Sequence, residues 1–390
     1  MGYLKRVGDR KYRIVYDVPP RGGKARQQKT ETLVGVTKPE AEAYLAKRKS
    51  ETNAGLRIPE EITIATLYER FRESRVVARR SPKTIERYDQ LYDSYIGPAF
   101  RHLPVQALRQ EHLSAAYSRW SKKGVSGRPL GARSLRHIHD LIRAMLHYAV
   151  RKELAVRNVA TLVSDELPAS PQANPIALSE AHLKKLLASA EDPSSWAKVR
   201  GTVSAHSWFA QAVRFAAYTG ARRGETLAMR WSDVHLEEAT AVIARSLTQT
   251  KAGLSFKVPK NGKTRTVILP QSLVQSLREH KGNQVRGRKF FGATYEDNDL
   301  IFAMPDGKAV VPWTFTKSFS YLVQRAGVPY IRLHDLRDTH ASLLAKHGVP
   351  IEVVSKRLGH SQVGITFERY VHVYRNRDAE AAAIFDEAVA

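Results

Sequence analysis

His334-Asp335-Leu336-Arg337-Asp338-Thr339-His340-Ala341 is the stretch on which the reading of this chain turns. Residues three apart on a helix share a face, so His334 and Arg337 could both reach one phosphate. Arginine forks neutralise phosphoryl oxygens bidentately and need no metal to do so. The spacing alone is weak, because with 14 His and 63 Lys+Arg in the chain an HxxR pattern arises about once by chance. Weight comes from what surrounds it. Thr219-Gly220-Ala221-Arg222-Arg223-Gly224-Glu225 lies upstream, and Leu358-Gly359-His360-Ser361 and Ile365-Thr366-Phe367-Glu368-Arg369-Tyr370-Val371-His372 lie downstream. Arg222, Lys260, His334, Arg337 and His360, followed by Tyr370, make a set of cationic and neutral donors with a phenol at its end.

Composition frames that set. The chain has 390 residues, a length for two to three domains, and a hydrophobic fraction of 43% that suffices for sizeable cores. It contains no Cys, which excludes disulfides, thiolate zinc sites, iron–sulfur clusters and cysteine nucleophiles. Lys+Arg minus Asp+Glu is 63 − 38 = +25, and the pI is about 10.2. So basic a chain answers to a polyanion, with nucleic acid the leading candidate. No run of 18 apolar residues would span a membrane, and the charged first residues lack a secretory h-region. The expected location is therefore the cytoplasm. Metal chemistry finds little support. Glu296, Asp297 and Asp299 form the one tight carboxylate cluster, in a turn that reads as surface, and no His pair has HExxH-type spacing. Asn261-Gly262-Lys263-Thr264 imitates the end of a phosphate-binding loop, but Lys257 stands where its leading glycine belongs.

Residues 1–30 hold nine Lys/Arg against two Asp. Within them Tyr12, Ile14, Tyr16 and Val18 alternate as in a strand, residues 19–23 form a turn, and 30–36 form a returning strand. Thr37-Lys38-Pro39-Glu40 predicts a capping box opening a helix to about residue 50. Residues 62–167 have a helical pattern. Ser81 caps and Pro82 starts a helix bearing Ile85, Tyr88, Tyr92 and Tyr95, which Gly97-Pro98 is expected to stop. A second helix over 134–153 places Leu135, Ile138, Ile142, Met145 and Ala149 on one face. These stripes read as core rather than as platforms for bases, while the polar faces carry 19 Lys/Arg against nine Asp/Glu in residues 62–165. Three prolines in residues 168–175 mark a boundary. Beyond it, helices are expected over 179–190, 208–218, 313–326, 334–347 and 350–358, with Gly327, Gly348 and Gly359 as C-cap glycines. Strands are expected over 241–247, 255–258 and 264–269.

The three boxes around Arg222, Arg337 and Tyr370 resemble, in order, spacing and glycines, those of the tyrosine recombinase (phage integrase) family. Lys260-Asn261-Gly262-Lys263-Thr264-Arg265 is similar to the family's β-hairpin with a catalytic lysine. The resemblance is strong over 175–375 and rests on helical pattern over 62–165. It implies a multidomain fold, mainly α with small β-sheets. Residues 1–60 would be an arm-DNA-binding-like α+β module, 62–167 a helical core-binding domain, 168–175 a linker, and 176–390 a mixed α/β catalytic domain of tyrosine-recombinase type. Arg222 and Arg337 would clamp the scissile phosphate, with His334 and His360 donating further hydrogen bonds and the arginines favouring an ionised Tyr370. Tyr370 would attack phosphorus, leaving a 3′-phosphotyrosyl DNA, and Lys260 would protonate the leaving 5′-oxygen; neither ATP nor metal is implied.

Some choices stay open on the residues themselves. Arg223 adjoins Arg222, Lys257 and Lys263 flank Lys260, and Tyr374 follows Tyr370 by one turn. Asp335 and Glu225 are read as orienters of the arginines, and His340 and His347 as helix-surface or core residues. Trp231-Ser232-Asp233-Val234 reads as packing. Two departures from the family stand out: Asp338 occupies a position where many relatives carry His, and Asn158-Val159-Ala160 replaces a common Asn-Pro-Ala. The partners implied are double-stranded DNA at core and arm-type sites and three further copies in a homotetramer, with an excisionase or host DNA-bending protein as accessory and no membrane. DNA contacts are expected from Arg10, Lys11, Arg13, Arg21, Lys24, Arg79, Arg80, Lys83, Arg133 and Arg136. In the tail, Ala383, Ile384 and Phe385 would suit docking on a neighbouring protomer. The rival readings are a resolvase or invertase with the same residues, a type IB topoisomerase, and a DNA-binding regulator that no longer cuts.

Overall fold

The computed structural model describes residues 2–18, 27–53, 61–169, 176–192, 207–258, 264–374 and 378–390. The chain divides into two compact units, Met1–Pro171 and Gln172–Ala390.

In the first unit, β1 (Tyr3–Gly8), β2 (Lys11–Val18) and β3 (Gln27–Val34) form an antiparallel sheet in that order, followed by α1 (Lys38–Asn53). The alternation in β2 buries Ile14 and Tyr16 completely, and both pack with Leu45 of α1. Thr37 forms the expected cap, its backbone N–H donating to Glu40 Oε2 at 2.7 Å. The helices that follow are α2 (Ile64–Arg72), α3 (Arg75–Ala78), α4 (Pro82–Leu91), α5 (Gly97–Phe100), α6 (Gln110–Lys122) and α7 (Ala132–Arg151). Ser81 Oγ caps α4 by accepting from Thr84 N.

Gly97-Pro98 does not stop the helix. A π-helical turn, Tyr92–Ile96, carries α4 directly into α5. The wider turn lets the Gly97 N–H reach Tyr92 O, and Pro98 enters at the start of the new α segment, where it needs no donor. The tyrosines expected to be core are core: Tyr92 is buried and stacks on Tyr68 at 3.8 Å between centroids, and Tyr88 and Tyr95 pack against the same cluster. The Tyr68 hydroxyl donates to Asp89, which Arg72 also holds. Each of the five apolar residues read on α7 is buried, and burying such a side chain stabilises by about 1.5–3 kcal/mol.

The second unit contains α8 (Glu180–Glu191), α9 (Ser207–Thr219), the short α10 (Arg223–Thr226), β4 (Val234–His235), β5 (Thr240–Ile243), β6 (Ser246–Thr250), β7 (Gly253–Lys257) and β8 (Arg265–Ile268). It continues with α11 (Gln271–Phe291), α12 (Pro312–Ala326), α13 (Asp335–Lys346), α14 (Ile351–Leu358), α15 (Val363–Tyr374) and α16 (Asp378–Val389). Its core gathers Phe209 and Phe215 of α9 with Phe302, Phe315 and Phe319. Gly327, Gly348 and Gly359 all take positive φ, as C-cap glycines do.

Two strand expectations need correction. Residues 241–247 are not one strand: β5 ends at Ile243 and pairs with β4 and β8, whereas β6 pairs with β7 in a separate two-stranded sheet. For the same reason β7 and β8 lie in separate sheets and do not pair with each other among the described residues.

Helix α11 was not legible. Its two glycines, Gly282 and Gly287, and its dense cations mask the few residues facing the core, Leu273, Val274, Leu277 and His280. No helix among the described residues is long and apolar enough to cross a membrane.

The end of α9 sets up the site. Gly220 turns the chain at φ +66°, and a Cβ there would meet Leu358 Cδ2 at 2.7 Å and His340 Cδ2 at 3.0 Å. Both strain and overlap exclude a side chain. Gly220→Ala is expected to lower stability by about 2 kcal/mol, and the thermal midpoint of this unit by about 5 °C, measured by scanning calorimetry.

Candidate active site

After Gly220 the chain re-enters a helix at Arg222, and Glu225 organises that entry. Glu225 Oε2 accepts the Arg222 backbone N–H at 2.9 Å, and Oε1 accepts Arg222 Nη1 at 2.8 Å. Arg265 of β8 donates from Nη2 to the same carboxylate at 2.6 Å. Glu225 is 2% exposed. Burial pushes its pKa up, but the hydrogen bond and charge of Arg265, aided by Arg222, overcome this and hold it at about 2. Arg222 keeps 41% of its side chain exposed. Arg223 turns away and donates to Thr316 on α12.

Arg337 is 3% exposed, yet among the described residues no carboxylate bonds it. Its Nη1 donates to Gly220 O at 2.8 Å and its Nη2 to Leu358 O at 2.6 Å, which ties the α9 turn to the end of α14. Burial first, then repulsion from Arg222 and Arg265, lowers its pKa to about 9. A guanidinium in that condition is under-compensated. Its surroundings favour an anion.

The two histidines sit at the edges of this cluster. His334 is exposed at the start of α13. Such burial as its ring has, with the charges of Arg337 and Arg369, lowers its pKa against the opposing pull of Asp338. His360 follows Gly359 and is half-buried, its Nδ1 2.7 Å from Thr366 Oγ1. Burial and then Arg337, Arg222, Arg369 and Arg265 bring its pKa to about 4, so the ring is neutral at pH 7. Four arginines from four segments therefore act on one imidazole. Gly359 makes room for one of them, since a Cβ there would lie 2.8 Å from Arg265 Cδ.

Tyr370 lies on α15, 1% exposed, packed with Ala341, Val354 and Leu358. Its hydroxyl donates to Asp338 Oδ1 at 2.6 Å. Arg369 grips both oxygens of Asp338, from Nε at 2.9 Å and Nη2 at 2.6 Å. The expectation that arginines favour a phenolate does not hold in the free chain. Burial, then the hydrogen bond and charge of Asp338, raise the Tyr370 pKa and outweigh Arg369 and Arg337. Asp335 is likewise corrected: its carboxylate accepts the backbone N–H and both guanidinium arms of Arg332, and so orients Arg332 rather than Arg337.

Among the remaining expectations, Lys260, Lys263, Arg21 and Lys24 lie outside the described residues. Lys257 has a buried Nζ with no hydrogen-bond partner. Trp231 packs as read, its Nε1 donating to Gln284. Arg10, Lys11 and Arg13 are exposed on the β1–β2 side of the small sheet; Arg79, Arg80 and Lys83 are exposed around the start of α4, and Arg133 and Arg136 at the start of α7. Sequence reasoning missed Arg265, Arg369 and the acceptor role of Asp338. The only available signals were the Lys-Thr-Arg that enters β8 and the unusual acid after Arg337. No group of three or more metal-ligating side chains occurs among the described residues.

Comparison with known proteins agrees with this geometry. The model described as "Phage integrase family" matches residues 177–377, more than half of the chain. The chain belongs to the phage integrase family, and with it to the DNA recombinases of the tyrosine class. It is 25% identical to a tyrosine recombinase XerC-like protein of Caldanaerobacter subterraneus subsp. tengcongensis, over 90% of each chain. It is 26% identical to an integrase of Streptomyces ambofaciens, over 90% of this chain and 87% of the relative. Its fold matches the Tn1549 transposon integrase in complex with transposon right end DNA, with a TM-score of 0.68, 15% identity, and coverage of 84% of this chain and 100% of that one. It also matches a lambda integrase tetramer bound to a Holliday junction, with a TM-score of 0.57, 16% identity and 96% coverage of each.

The core beside the site has its own pH signature. Arg357 Nε donates to His340 Nε2, so Nδ1 carries the proton given to Ala217 O, and His340 is held neutral. Burial and then Arg357 depress its pKa from 6.5 to about 3. The unfolded chain takes up this proton and the folded chain does not. The stabilisation is thus complete above about pH 6.5 and is lost as pH falls toward 3. Urea unfolding at pH 7 and pH 5 is expected to show a loss of about 2 kcal/mol in the native chain that His340→Gln lacks.

Proposed function

We propose that this protein is a site-specific recombinase that cleaves and rejoins DNA through a 3′-phosphotyrosyl intermediate and so integrates or excises a phage or other mobile element. The observation that carries the reading is that Arg222 and Arg265 share Glu225 while the buried Arg337 beside them bonds only backbone carbonyls, with its charge acting on Tyr370. A phosphodiester supplies the anion this cluster lacks. Arg222, with its exposed guanidinium, and Arg337 would take its non-bridging oxygens, while neutral His360 and His334 donate further hydrogen bonds.

As the Tyr370 Oη–P bond forms, the phenolic proton is lost to solvent and the P–O5′ bond breaks. Lys260 gives the leaving oxygen its proton, which yields a free 5′-hydroxyl. The phosphodiester energy is kept in the tyrosyl ester, so the reverse attack by another 5′-hydroxyl needs neither ATP nor a metal.

Double-stranded DNA is the partner, and the first unit supplies grounds of its own. Arg79 and Arg80 precede α4 and Lys83 lies in its first turn, Arg133 and Arg136 lie at the start of α7, and neither helix has an acidic residue in its first turn. Cations at a helix N-terminus oppose the macrodipole, and DNA phosphates would relieve both starts. We assign residues 62–167 to core-site binding and 176–390 to catalysis. Residues 1–60, with Arg10, Lys11, Arg13, Arg21 and Lys24, would grip arm-type sites, and an excisionase or host bending protein would act there. The setting is the bacterial cytoplasm. A homotetramer on DNA fits the tail: Ile384 and Phe385 of α16 are 59% and 70% exposed. The second unit also carries an apolar cavity of about 620 Å³ lined by Leu183, Leu187, Ile268, Leu344 and Val353, which another copy's tail would fill.

Two experiments test this. Incubated in EDTA with a pool of randomised duplexes nicked so that the cleaved end escapes, the native chain is expected to form a protein–DNA adduct on a denaturing gel. Tyr370→Phe forms none, and Arg222→Ala forms it about 10²–10³ times more slowly. No native adduct despite salt-sensitive binding would favour a regulator that does not cut. Replacing Ile384 and Phe385 with Asp is expected to leave single-copy DNA binding intact and to remove the tetramer band in a native gel.

A further inference from the structure

We propose that Asp338 is a positioning residue for the nucleophile: clamped by Arg369, it keeps the Tyr370 hydroxyl seated and protonated in the free protein, so that cleavage requires this hydrogen bond to be released. The inference rests on the reading of Tyr370 as the nucleophile and goes beyond it, because it concerns what holds the tyrosine back.

The geometry makes the case in three steps. A phenol that attacks phosphorus must meet a phosphodiester arriving from solvent, and Tyr370 is 1% exposed behind Ala341, Val354 and Leu358. Its only proton is committed to Asp338 Oδ1 at 2.6 Å. Were that proton lost in place, a phenolate would lie against a carboxylate in a site shut off from water, and like charges in a poorly solvated site repel strongly. The carboxylate is itself tied down. Asp338 is 2% exposed and Arg369 holds both its oxygens, so the arginine next to the nucleophile locks α15 onto α13.

The charged groups acting on the hydroxyl are Asp338 and Arg337 from α13 and Arg369 from α15 itself. Helix α14 presents Val354 and Leu358 to it. His334 at the head of α13 and His360 between α14 and α15 titrate in the field of the same arginines. Of the groups on the hydroxyl, Asp338 alone is an anion, and it is the one in contact. A residue that held the tyrosine merely for packing would not need to be charged.

The test is Asp338→Asn, which keeps the shape and removes the charge. Single-turnover adduct formation on a trapped core site is expected to reach half its maximal rate at least one pH unit lower than in the native chain, which is about a tenfold faster rate at pH 7. A second readout needs no DNA. The phenol absorbance of the free protein, taken as the difference from the matching Tyr370→Phe chain, should rise at lower pH for Asp338→Asn than for native. Should Asp338→Asn fail to fold, Asp338→His repeats both measurements above about pH 7.5, where an ordinary imidazole is neutral.

Loss of cleavage in a folded, DNA-binding Asp338→Asn would make Asp338 the acceptor of the tyrosine proton and overturn the proposal. So would a pH profile and phenol titration that do not move, since these leave only a structural contact. If the native chain forms no adduct at all, the nucleophile assignment falls, and the absorbance titration still decides whether Asp338 holds the phenol protonated.

Discussion

A guanidinium buried without a carboxylate is the constraint around which the second unit is arranged. Arg337 spends its two Nη groups on the carbonyls of Gly220 and Leu358, residues 117 and 21 positions away in sequence. Those bonds place the α9 turn, and with it Arg222, against the α14 end, and with it His360. The charge they leave unmatched is the part that the proposed function uses. Pairing Arg337 with an acid would have been the easier way to bury it, but Glu225 is held by Arg222 and Arg265 and Asp338 by Arg369 and Tyr370. Such a site is incomplete in charge, and the proposed phosphodiester would complete it.

Glycines and backbone carbonyls, rather than the reactive groups, do the assembling. Gly220 bends where a Cβ would strike Leu358 and His340, and Gly359 leaves the space through which Arg265 reaches Glu225. Arg265 in turn fixes the last turn of α14 by donating to Arg357 O. These contacts bring the segments that bear Arg222, Arg337 and His360 together. Tyr370, the proposed nucleophile, is held separately by the Asp338–Arg369 pair. The division is between a rigid anion receptor and a restrained phenol.

Much of this was legible in the sequence, for identifiable reasons. Capping residues such as Thr37, Ser81 and Ser179, and the C-cap glycines, are local signals, and the helix starts and ends they mark appear within a residue or two of expectation. The ordered boxes around Arg222, Arg337 and Tyr370 carried the family because several weak signals in a fixed order are jointly specific. What failed was non-local. Pro98 reads as a stop only if the helix before it is α-helical throughout, and the π turn removes that premise. Residues 241–247 read as one strand because the change of sheet at Ile243 is decided by pairing partners, not by side chains. Helix α11 hides behind its cations. Neither Arg265 nor Asp338 could be given its part, since each acts through residues at least 31 positions away.

The central claim is that the phenol of Tyr370 becomes the covalent link to DNA, and the most direct measurement is the mass spectrum of that link. Adduct trapped on a nicked core site would be digested with nuclease and trypsin and its peptides sequenced. The account predicts a single modified peptide bearing a nucleotide through its 3′-phosphate on Tyr370, with Tyr374 unmodified. A nucleotide on Tyr374 or on any other side chain, or one attached through its 5′-phosphate, would contradict it.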